Sequence, residues 1–249
     1  MIAAIFDTPF PWPLFLGALF IGGLVKGALG VGLPLVSTPL LGLGLSSYQS
    51  ISLLAAPVAL SNLYQAIDGG RIPETLRRFG GLIIAQFIVT VLTVKLTLSL
   101  SAAQLNDLLA IALLLAVATM IWQPTLAISR EREAKVGIVV GLMAGVLGGV
   151  SSLTGPVTLT YLMALRLDRE TFVSSISTIY FIAALPLYGA LMWYERMTGV
   201  DLVLSIIGLV PMAVGLSLGK RVRYRLNEQL FRKLLLGFLA ILALILLFK

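Results

Sequence analysis

Eight long apolar blocks run along the chain, and short polar or charged segments separate them. The blocks cover residues 13–45, 47–67, 79–100, 104–122, 136–165, 171–194, 201–219 and 230–248. Most are close to the roughly 20 apolar residues that a helix needs to cross a bilayer. Because such blocks recur to the end of the chain, the pattern predicts an all-α integral membrane protein.

Composition points the same way and removes several classes of function. Of the 249 residues, 59% are hydrophobic and 12% are charged, whereas a soluble domain carries about 25% charged residues. The chain contains no cysteine and no histidine. The usual transition-metal ligand sets and most hydrolytic triads are therefore missing, so we expect no metal, no cofactor and no enzymatic activity.

Basic residues are concentrated in three of the segments between the blocks. They are Arg71, Arg77 and Arg78, then Arg130, Arg132 and Lys135, and finally Lys220, Arg221, Arg223, Arg225, Arg232 and Lys233. The positive-inside rule predicts that these segments are cytoplasmic, so the net charge of +7 does not indicate nucleic acid binding. The segments around Ser101 and Thr198 are nearly free of basic residues and should face outward. Both termini are then predicted outside the cytoplasm.

Two blocks, 13–45 and 136–165, are too long for one span. Thirty residues of straight helix measure about 45 Å, against about 30 Å of hydrocarbon. Block 136–165 begins at Lys135 and ends beside Arg166, and both lie on the predicted cytoplasmic side. A re-entrant hairpin of two half-helices fits this charge pattern, and block 13–45 is predicted to form a hairpin from the outer face.

Each half of the chain then holds one broken hairpin and three transmembrane helices. An odd number of spans inverts the second half, which predicts two inverted-topology repeats, 1–125 and 136–249, joined by a cytoplasmic linker at 126–135. Three glycines recur at a constant offset in the two hairpin blocks: Gly23, Gly27 and Gly30, then Gly141, Gly145 and Gly148. This internal match supports a duplication.

Glycine, proline and hydroxyl residues occur together where each hairpin should break, at 30–39 and 148–158. Irregular backbone at membrane depth survives only inside protein or beside a wet cavity. Free N–H groups at the start of a half-helix, with nearby hydroxyls, favour an anion. The predicted ligands are Gly30, Gly32, Ser37 and Thr38 in the first break, and Gly149, Ser151, Ser152 and Thr154 in the second. Close helix packing is the alternative for the regularly spaced glycines taken singly.

Lys26 is the one basic residue deep in an apolar block without a charged neighbour. A buried cation costs several kcal/mol unless it is paired or hydrated, so a functional role is the first hypothesis and snorkelling to the interface is the second. The matching position of the second half is Ala144, so the predicted site carries one lysine.

Four more polar residues lie in the helices that follow the two hairpins. They are Asn62 and Gln65 in the first half, and Ser177 and Tyr180 in the second. These side chains are predicted to line a cavity beside the breaks, although hydroxyls in membrane helices often bond their own backbone instead.

Taken together, these features resemble the TauE/SafE family of sulfite and sulfonate exporters. The doubled Gly-rich hairpins, 22–39 and 141–156, carry the resemblance, which extends over essentially the whole chain. It implies tandem halves, short hydrophilic loops and transport of small sulfur oxyanions or organosulfonates, often outward. The family often has consecutive glycines in the first break, where this chain has Gly30-Val31-Gly32-Leu33, and this departure bears on substrate detail.

The leading hypothesis is a secondary transporter that exports small sulfur-containing anions, such as sulfite or organosulfonates, across the cell (inner or plasma) membrane. It would work by alternating access around an anion site at the midplane. The expected partners are the anionic substrate and the lipid bilayer, not nucleic acid, while coupling to H⁺ or Na⁺ and a homodimer stay open. Two alternatives remain: an anion channel with the same site, and a membrane scaffold or assembly factor without transport.

Overall fold

The computed structural model describes residues 10–122, 127–223 and 228–247, and this part is helical without a strand. Its helices are α1 (Trp12–Leu29), α2 (Leu33–Gly42), α3 (Ser47–Ser52), α4 (Ala55–Gly69), α5 (Ile72–Thr97), α6 (Ala102–Trp122), α7 (Arg130–Ser151), α8 (Gly155–Ala164), α9 (Arg169–Trp193), α10 (Gly199–Ile207), α11 (Leu209–Arg223) and α12 (Glu228–Leu247). In the described residues, six helical segments are long and apolar enough to cross a membrane. The predicted all-α, multi-pass class is confirmed.

Both long blocks fold back on themselves. In the first, α1 and α2 are joined by residues 30–32, and the Ser37 hydroxyl donates a hydrogen bond to the Ala18 carbonyl (2.8 Å). In the second, α7 and α8 are joined by residues 152–154, and the Ile128 N–H donates to the Ala164 carbonyl (3.1 Å). The second bond brings the end of α8 back to the level at which α7 begins.

Two predicted spans are broken in the structure. Block 47–67 contains α3 and α4, and block 201–219 contains α10 and α11. Pro57 and Pro211 each occupy the third residue of the later helix. Proline has no N–H and disfavours helical geometry in the residue before it, so the hydrogen-bond ladder is interrupted upstream of both prolines.

The remaining differences from the predicted bounds lie at helix ends. The charged residues 130–135 begin α7 instead of forming a linker, because Glu, Arg and Lys are good helix formers that extend a helix beyond the hydrocarbon. Block 79–100 corresponds to α5, which starts at Ile72 and has a kink at Phe79 (φ −108°, ψ 17°). The helices α6, α9 and α12 each begin two residues before the apolar block does.

Different polar contacts mark the two ends of the helix bundle. At one end, Arg78 forms a bidentate ion pair with Glu133 (2.5 and 2.9 Å), and Lys220 lies over the ring of Tyr64 (5.7 Å to its centroid). At the other, the Tyr48 hydroxyl donates to the carbonyl of Thr97 (2.8 Å). Arg78 and Thr97 lie near opposite ends of the 26-residue α5, so these contacts are far apart. Arg78 of the first basic segment, Glu133 within the second and Lys220 of the third therefore share one end, which the positive-inside rule predicts to be cytoplasmic.

The two hairpins enter from these opposite ends. The base of α1–α2 lies at the Tyr48 end, because Gly44 lies against Leu14 just before α3 begins. The base of α7–α8 lies at the Arg78 end, where the Tyr161 hydroxyl donates to the Glu133 carbonyl (3.0 Å). Opposed hairpins are what the predicted inverted repeats require.

Glycines mediate the packing of both hairpins. On α1, Gly23 and Gly27 lie against the backbone of α11 at Met212 and Leu216. On α11, Gly215 and Gly219 lie in turn against the backbone of α1 at Phe20 and Leu24. On α7, the glycines that face α5 are Gly141, Gly145 and Gly149, beside Leu82, Gln86 and Thr93. These contacts support the packing interpretation of the glycines in both rows, and Gly149, which was also predicted as a ligand, belongs to the second row.

Candidate functional site

A cavity of about 60 Å³, room for a few water molecules, lies between the two hairpin breaks. Residues from both breaks line it, and α1, α4 and α9 complete the wall. Six polar side chains face it: Lys26, Asn62, Ser152, Thr154, Tyr180 and Tyr188. None of its lining residues is acidic. The two breaks, which come from opposite ends of the bundle, therefore share one chamber.

Lys26 supplies the formal charge of this chamber. It lies in the last turn of α1, its side chain is 3% exposed, and its ammonium donates a hydrogen bond to Asn62 Oδ1 (2.5 Å). An ammonium has three N–H donors, and among the described residues we find no partner for the other two. Asn62 is itself 3% exposed, so α4 holds the lysine through a neutral amide and not through a carboxylate. The positive charge is left without a counter-ion from the described lining.

The first turns of α2 and α8 open onto the same space. Gly32 and Thr154 are the residues that precede these helices, both line the cavity, and neither provides a side-chain cap. Each helix has proline at its second position, Pro34 or Pro156, which has no N–H of its own, and the other N–H groups of the first turn have no intrahelical partner. Helix N-termini carry partial positive charge. Two such ends and one lysine make the chamber electropositive.

The backbone of both breaks adopts left-handed conformations. Gly30 and Gly32 have φ of 84° and 106°, values that suit glycine, whereas Ser152 has φ of 62°. A non-glycine residue in this region costs roughly 1–2 kcal/mol and is often found at functional sites. The second break begins at Ser152 and not at Gly148, the residue that aligns with Gly30, because α7 continues for one more turn.

Of the predicted ligands, Lys26, Gly32, Asn62, Ser152, Thr154 and Tyr180 line the chamber. Gly30 is part of the first break but does not line it. Thr38 is fully buried, and its hydroxyl has no partner among the described residues. The glycines at the first break and the isolated lysine were therefore useful sequence signals for the position of the chamber.

The other predicted ligands make contacts elsewhere. The hydroxyl of Ser37 is bonded to α1, as described above, and that of Ser151 donates to the Leu147 carbonyl (2.7 Å). Ser177 donates to Gln65 Oε1 across the α4–α9 interface (3.3 Å), and Gln65 lines a separate groove that includes Lys220. These residues do not line the chamber, and each has a hydrogen-bond partner within its own helix or on a neighbouring helix.

Two tyrosines of α9 complete the polar wall. The Tyr180 hydroxyl donates to the carbonyl of Gly155 (3.0 Å) and so ties α9 to the first residue of α8. Tyr188 was not singled out from the sequence. Its side chain is 7% exposed, and its hydroxyl lies near Ser152 without forming a hydrogen bond of good geometry. The spacing of eight residues, about two helical turns, places both tyrosines on one side of α9 and could have revealed the second.

The comparisons with known proteins agree with the resemblance noted in the sequence. The sequence model of the family described as Sulfite exporter TauE/SafE matches residues 14–246, a range that includes both hairpins and all the lining residues of the chamber. No curated protein and no solved structure matches the chain. Since the match covers nearly the whole sequence, the chain belongs to the TauE/SafE family of sulfite exporters, a family of multi-pass membrane transport proteins.

Proposed function

We propose that this protein is a secondary transporter that exports small sulfur-containing anions, such as sulfite or organosulfonates, and that the chamber between the breaks is its binding site. One observation carries the proposal: the buried Lys26 ammonium faces a chamber whose lining includes no acidic residue. A buried charge is costly until an opposite charge arrives. A bound anion would supply that charge.

The surrounding groups suit an oxyanion with several acceptor oxygens. Lys26 would contribute charge-assisted hydrogen bonds, and the Asn62 amide, which accepts from Lys26, still has its own N–H groups to donate. Ser152 and Thr154 add hydroxyl groups from the second break. The uncapped starts of α2 and α8 would stabilise negative charge between them. A sulfonate or sulfite group has three oxygens with which to meet these donors.

The arrangement of the hairpins supports alternating access. Each hairpin enters from a different end, and the first helix of each packs on a span from the other half, α1 on α11 and α7 on α5. Inverted repeats that exchange elements in this way allow one unit to rock against the other around a shared site. No His, Asp or Glu lines the chamber, so we expect coupling through a proton carried by the substrate or through Na⁺ at backbone carbonyls.

Flux measurements in proteoliposomes test the proposal and separate it from its alternatives. The panel comprises sulfite, short organosulfonates, sulfate and carboxylates, each with and without a pH or Na⁺ gradient. A transporter gives saturable flux and counterflow of labelled substrate. An anion channel gives flux without counterflow, and a scaffold gives neither. If no anion in the panel moves, the proposal is wrong.

Lys26→Met tests the role of the chamber in the same assay. We expect about 10- to 100-fold weaker binding and a matching loss of flux, because hydrogen bonds to charged groups contribute roughly 1.5–3 kcal/mol. The protein should still fold, since the relief from burying a charge without a counter-ion offsets the loss of the hydrogen bond to Asn62 Oδ1. Lys95→Met, on an exposed part of α5, is the matched control and should transport normally. Unchanged flux in Lys26→Met would remove the chamber as the site.

A further inference from the structure

A second and larger cavity, of about 230 Å³, is a groove between α4 and α11. The residues on which the following argument depends are Leu60, Tyr64 and Gln65 on α4, and Ala213, Ser217 and Lys220 on α11. Ala213 and Ser217 are small and lie about one turn apart, so they leave room between the two helices. No residue lines both this groove and the chamber, so the groove is a separate site.

The lining of the groove changes from apolar to polar along its length. Leu60 and Met212 line its deeper part, whereas Tyr64, Gln65 and Lys220 line the part nearer the basic end of the bundle. Met212 and Lys220 are eight residues apart, which is about 12 Å along a helix. One leaflet contributes about 15 Å of hydrocarbon. The groove therefore matches the depth and the polarity of a single leaflet.

The groove opens toward lipid and not toward water. On α4, Leu60 is 49% exposed and Ile67 is 62% exposed, and on α11 the neighbouring Val214 and Leu218 are 50% and 38% exposed. Large apolar side chains at the surface of a membrane-spanning segment face the hydrocarbon, which is as apolar as they are. An anion dissolved in water would reach only the outer end of this groove, whereas a lipid can occupy its whole length.

The cation at the outer end of the groove has no acidic partner. The Lys220 ammonium lies over the ring of Tyr64, and we find no ion pair for it among the described residues. The described lining contains no carboxylate, and Asp68, one turn beyond Tyr64, is not part of it. Gln65 Oε1 accepts from Ser177, which leaves the amide N–H groups of Gln65 free to donate. Basic pockets between helices at this level favour anionic lipid headgroups.

We infer that this groove binds one anionic phospholipid, such as phosphatidylglycerol, from the leaflet at the Lys220 end. Its phosphate lies beside Lys220, Tyr64 and Gln65, and one acyl chain lies along Leu60 and Ala213. The positive-inside rule predicts this leaflet to be the cytoplasmic one. Because α4 and α11 both contact α1, a lipid that bridges them stabilises the position of the first hairpin. The inference does not depend on which anion is transported.

Native mass spectrometry of delipidated protein in detergent measures this preference. The protein is mixed with equal amounts of phosphatidylglycerol and phosphatidylcholine that carry the same acyl chains. We expect phosphatidylglycerol to bind about fivefold more tightly, which is the effect of one lysine near an anionic headgroup. It should also raise the melting temperature, whereas inorganic phosphate at the same concentration should not. Equal binding of the two lipids overturns the inference, and so does equal stabilisation by phosphate, which would assign the groove to a free anion.

Substitutions separate the groove from the general basic charge of this end. Lys220→Gln should bring the two lipids to equal affinity. Arg221→Gln, at an exposed neighbour that does not line the groove, should keep the fivefold preference. If Lys220→Gln retains the preference, or if Arg221→Gln loses it equally, the charge of the whole end attracts the lipid and the groove is not the site.

The acyl part of the site has its own test. Ala213→Trp fills the deeper groove and should weaken the binding of both lipids at least about tenfold, because two or more methylenes lose their apolar contact. Ala118→Trp, the same change at an exposed position of α6, is the matched control and should bind lipid normally. Unchanged binding in Ala213→Trp would show that no acyl chain lies there. All these readouts measure lipid binding, so failure of the transport assay leaves them valid.

Discussion

The hairpin α1–α2 and the hairpin α7–α8 meet the rest of the protein through equivalent contacts. In each, a row of glycines on the longer helix lies against the backbone of a span from the other half. In each, the shorter helix has proline at its second position, and the start of that helix lines the chamber. Their shared architecture positions two helix N-termini around one space.

The chemistry that the hairpins contribute is different. Lys26 lies four residues before Gly30, where the first break begins. The residue four before Ser152 is Gly148, which lies against Thr154, so a long side chain has no room there. The second hairpin instead provides hydroxyl groups. A chamber with one lysine matches a single negative charge, and a second cation would repel the first. The two hairpins therefore have the same architecture, but only the first contributes a charged side chain.

The largest expected effect tests the shared packing. Gly23 on α1 and Gly141 on α7 occupy matching positions, and an added Cβ would meet the carbonyl oxygen of Met212 or Leu82, respectively. Because these contacts are with backbone, Gly23→Ala and Gly141→Ala should each lower the free energy of unfolding by about 1–3 kcal/mol or more. Thermal melting of purified protein in detergent measures the loss.

Gly17→Ala is the control for both substitutions. A Cβ at Gly17 would have no atom within 4 Å, and alanine favours a helix by up to about 1 kcal/mol relative to glycine. Its melting temperature should stay the same or rise. If one of the two packing substitutions is harmless and the other is costly, the hairpins do not pack equivalently and the comparison fails.

The next effect concerns the bases of the hairpins, which are held differently. Glu133 near the start of α7 accepts two hydrogen bonds from Arg78, whereas the base of α1 packs through the rings of Phe10, Trp12 and Phe15. Glu133→Gln should therefore destabilise the protein by about 1–3 kcal/mol, because it leaves the Arg78 guanidinium without its counter-ion.

Glu131→Gln provides the comparison for this ion pair. Glu131 is an exposed residue of the same first turn, so its removal should change the melting temperature little. Melting curves at several salt concentrations add a second measure, since the ion pair is weakened by salt and the aromatic packing is not. Equal stability of the two variants would mean that Arg78 does not hold the base of the second hairpin.

Much of this architecture could be predicted from the sequence, since block length and loop charge indicate two hairpins. The position of the second break could not be predicted from the glycines, which match between the halves at an offset of 118 residues. Pro34 and Pro156 match at an offset of 122, and each is the second residue of the shorter helix. The extra turn of α7 is the difference. Glycine tolerates both helix and break, so it does not fix the point at which a helix ends.

The chamber itself was predictable only in part, for a related reason. Lys26 could be recognised because an isolated charge in an apolar block needs an explanation wherever it lies. The fate of a neutral polar residue depends on its tertiary neighbours instead. Gln65 and Ser177 satisfy each other across α4 and α9, whereas Tyr188 lines the chamber. Side-chain chemistry alone does not distinguish these cases.

The smallest effect compares the left-handed residues at the two breaks. Gly30 and Ser152 both end their helices with positive φ, but only Ser152 has a side chain that strains this conformation. Ser152→Gly should therefore raise the melting temperature slightly, by less than about 1 kcal/mol in stability, because the entropy that glycine loses on folding offsets part of the gain. Gly30→Ala should lower stability by about 1 kcal/mol. An added Cβ there would have no atom within 4 Å, so the cost is the backbone conformation alone.

Ser152→Ala separates the backbone of this residue from its hydroxyl. Alanine keeps a Cβ in the left-handed conformation, so it should not gain the stability that glycine gains. It also removes a hydroxyl that lines the chamber, so it should weaken anion binding by the few-fold that one neutral hydrogen bond contributes. If Ser152→Ala and Ser152→Gly weaken binding equally while only the glycine variant melts higher, the strain and the hydroxyl of Ser152 are independent. If the glycine variant loses more binding than the alanine variant, the strained backbone itself positions the start of α8 for the anion, and the second hairpin contributes through its conformation as well as through its side chains.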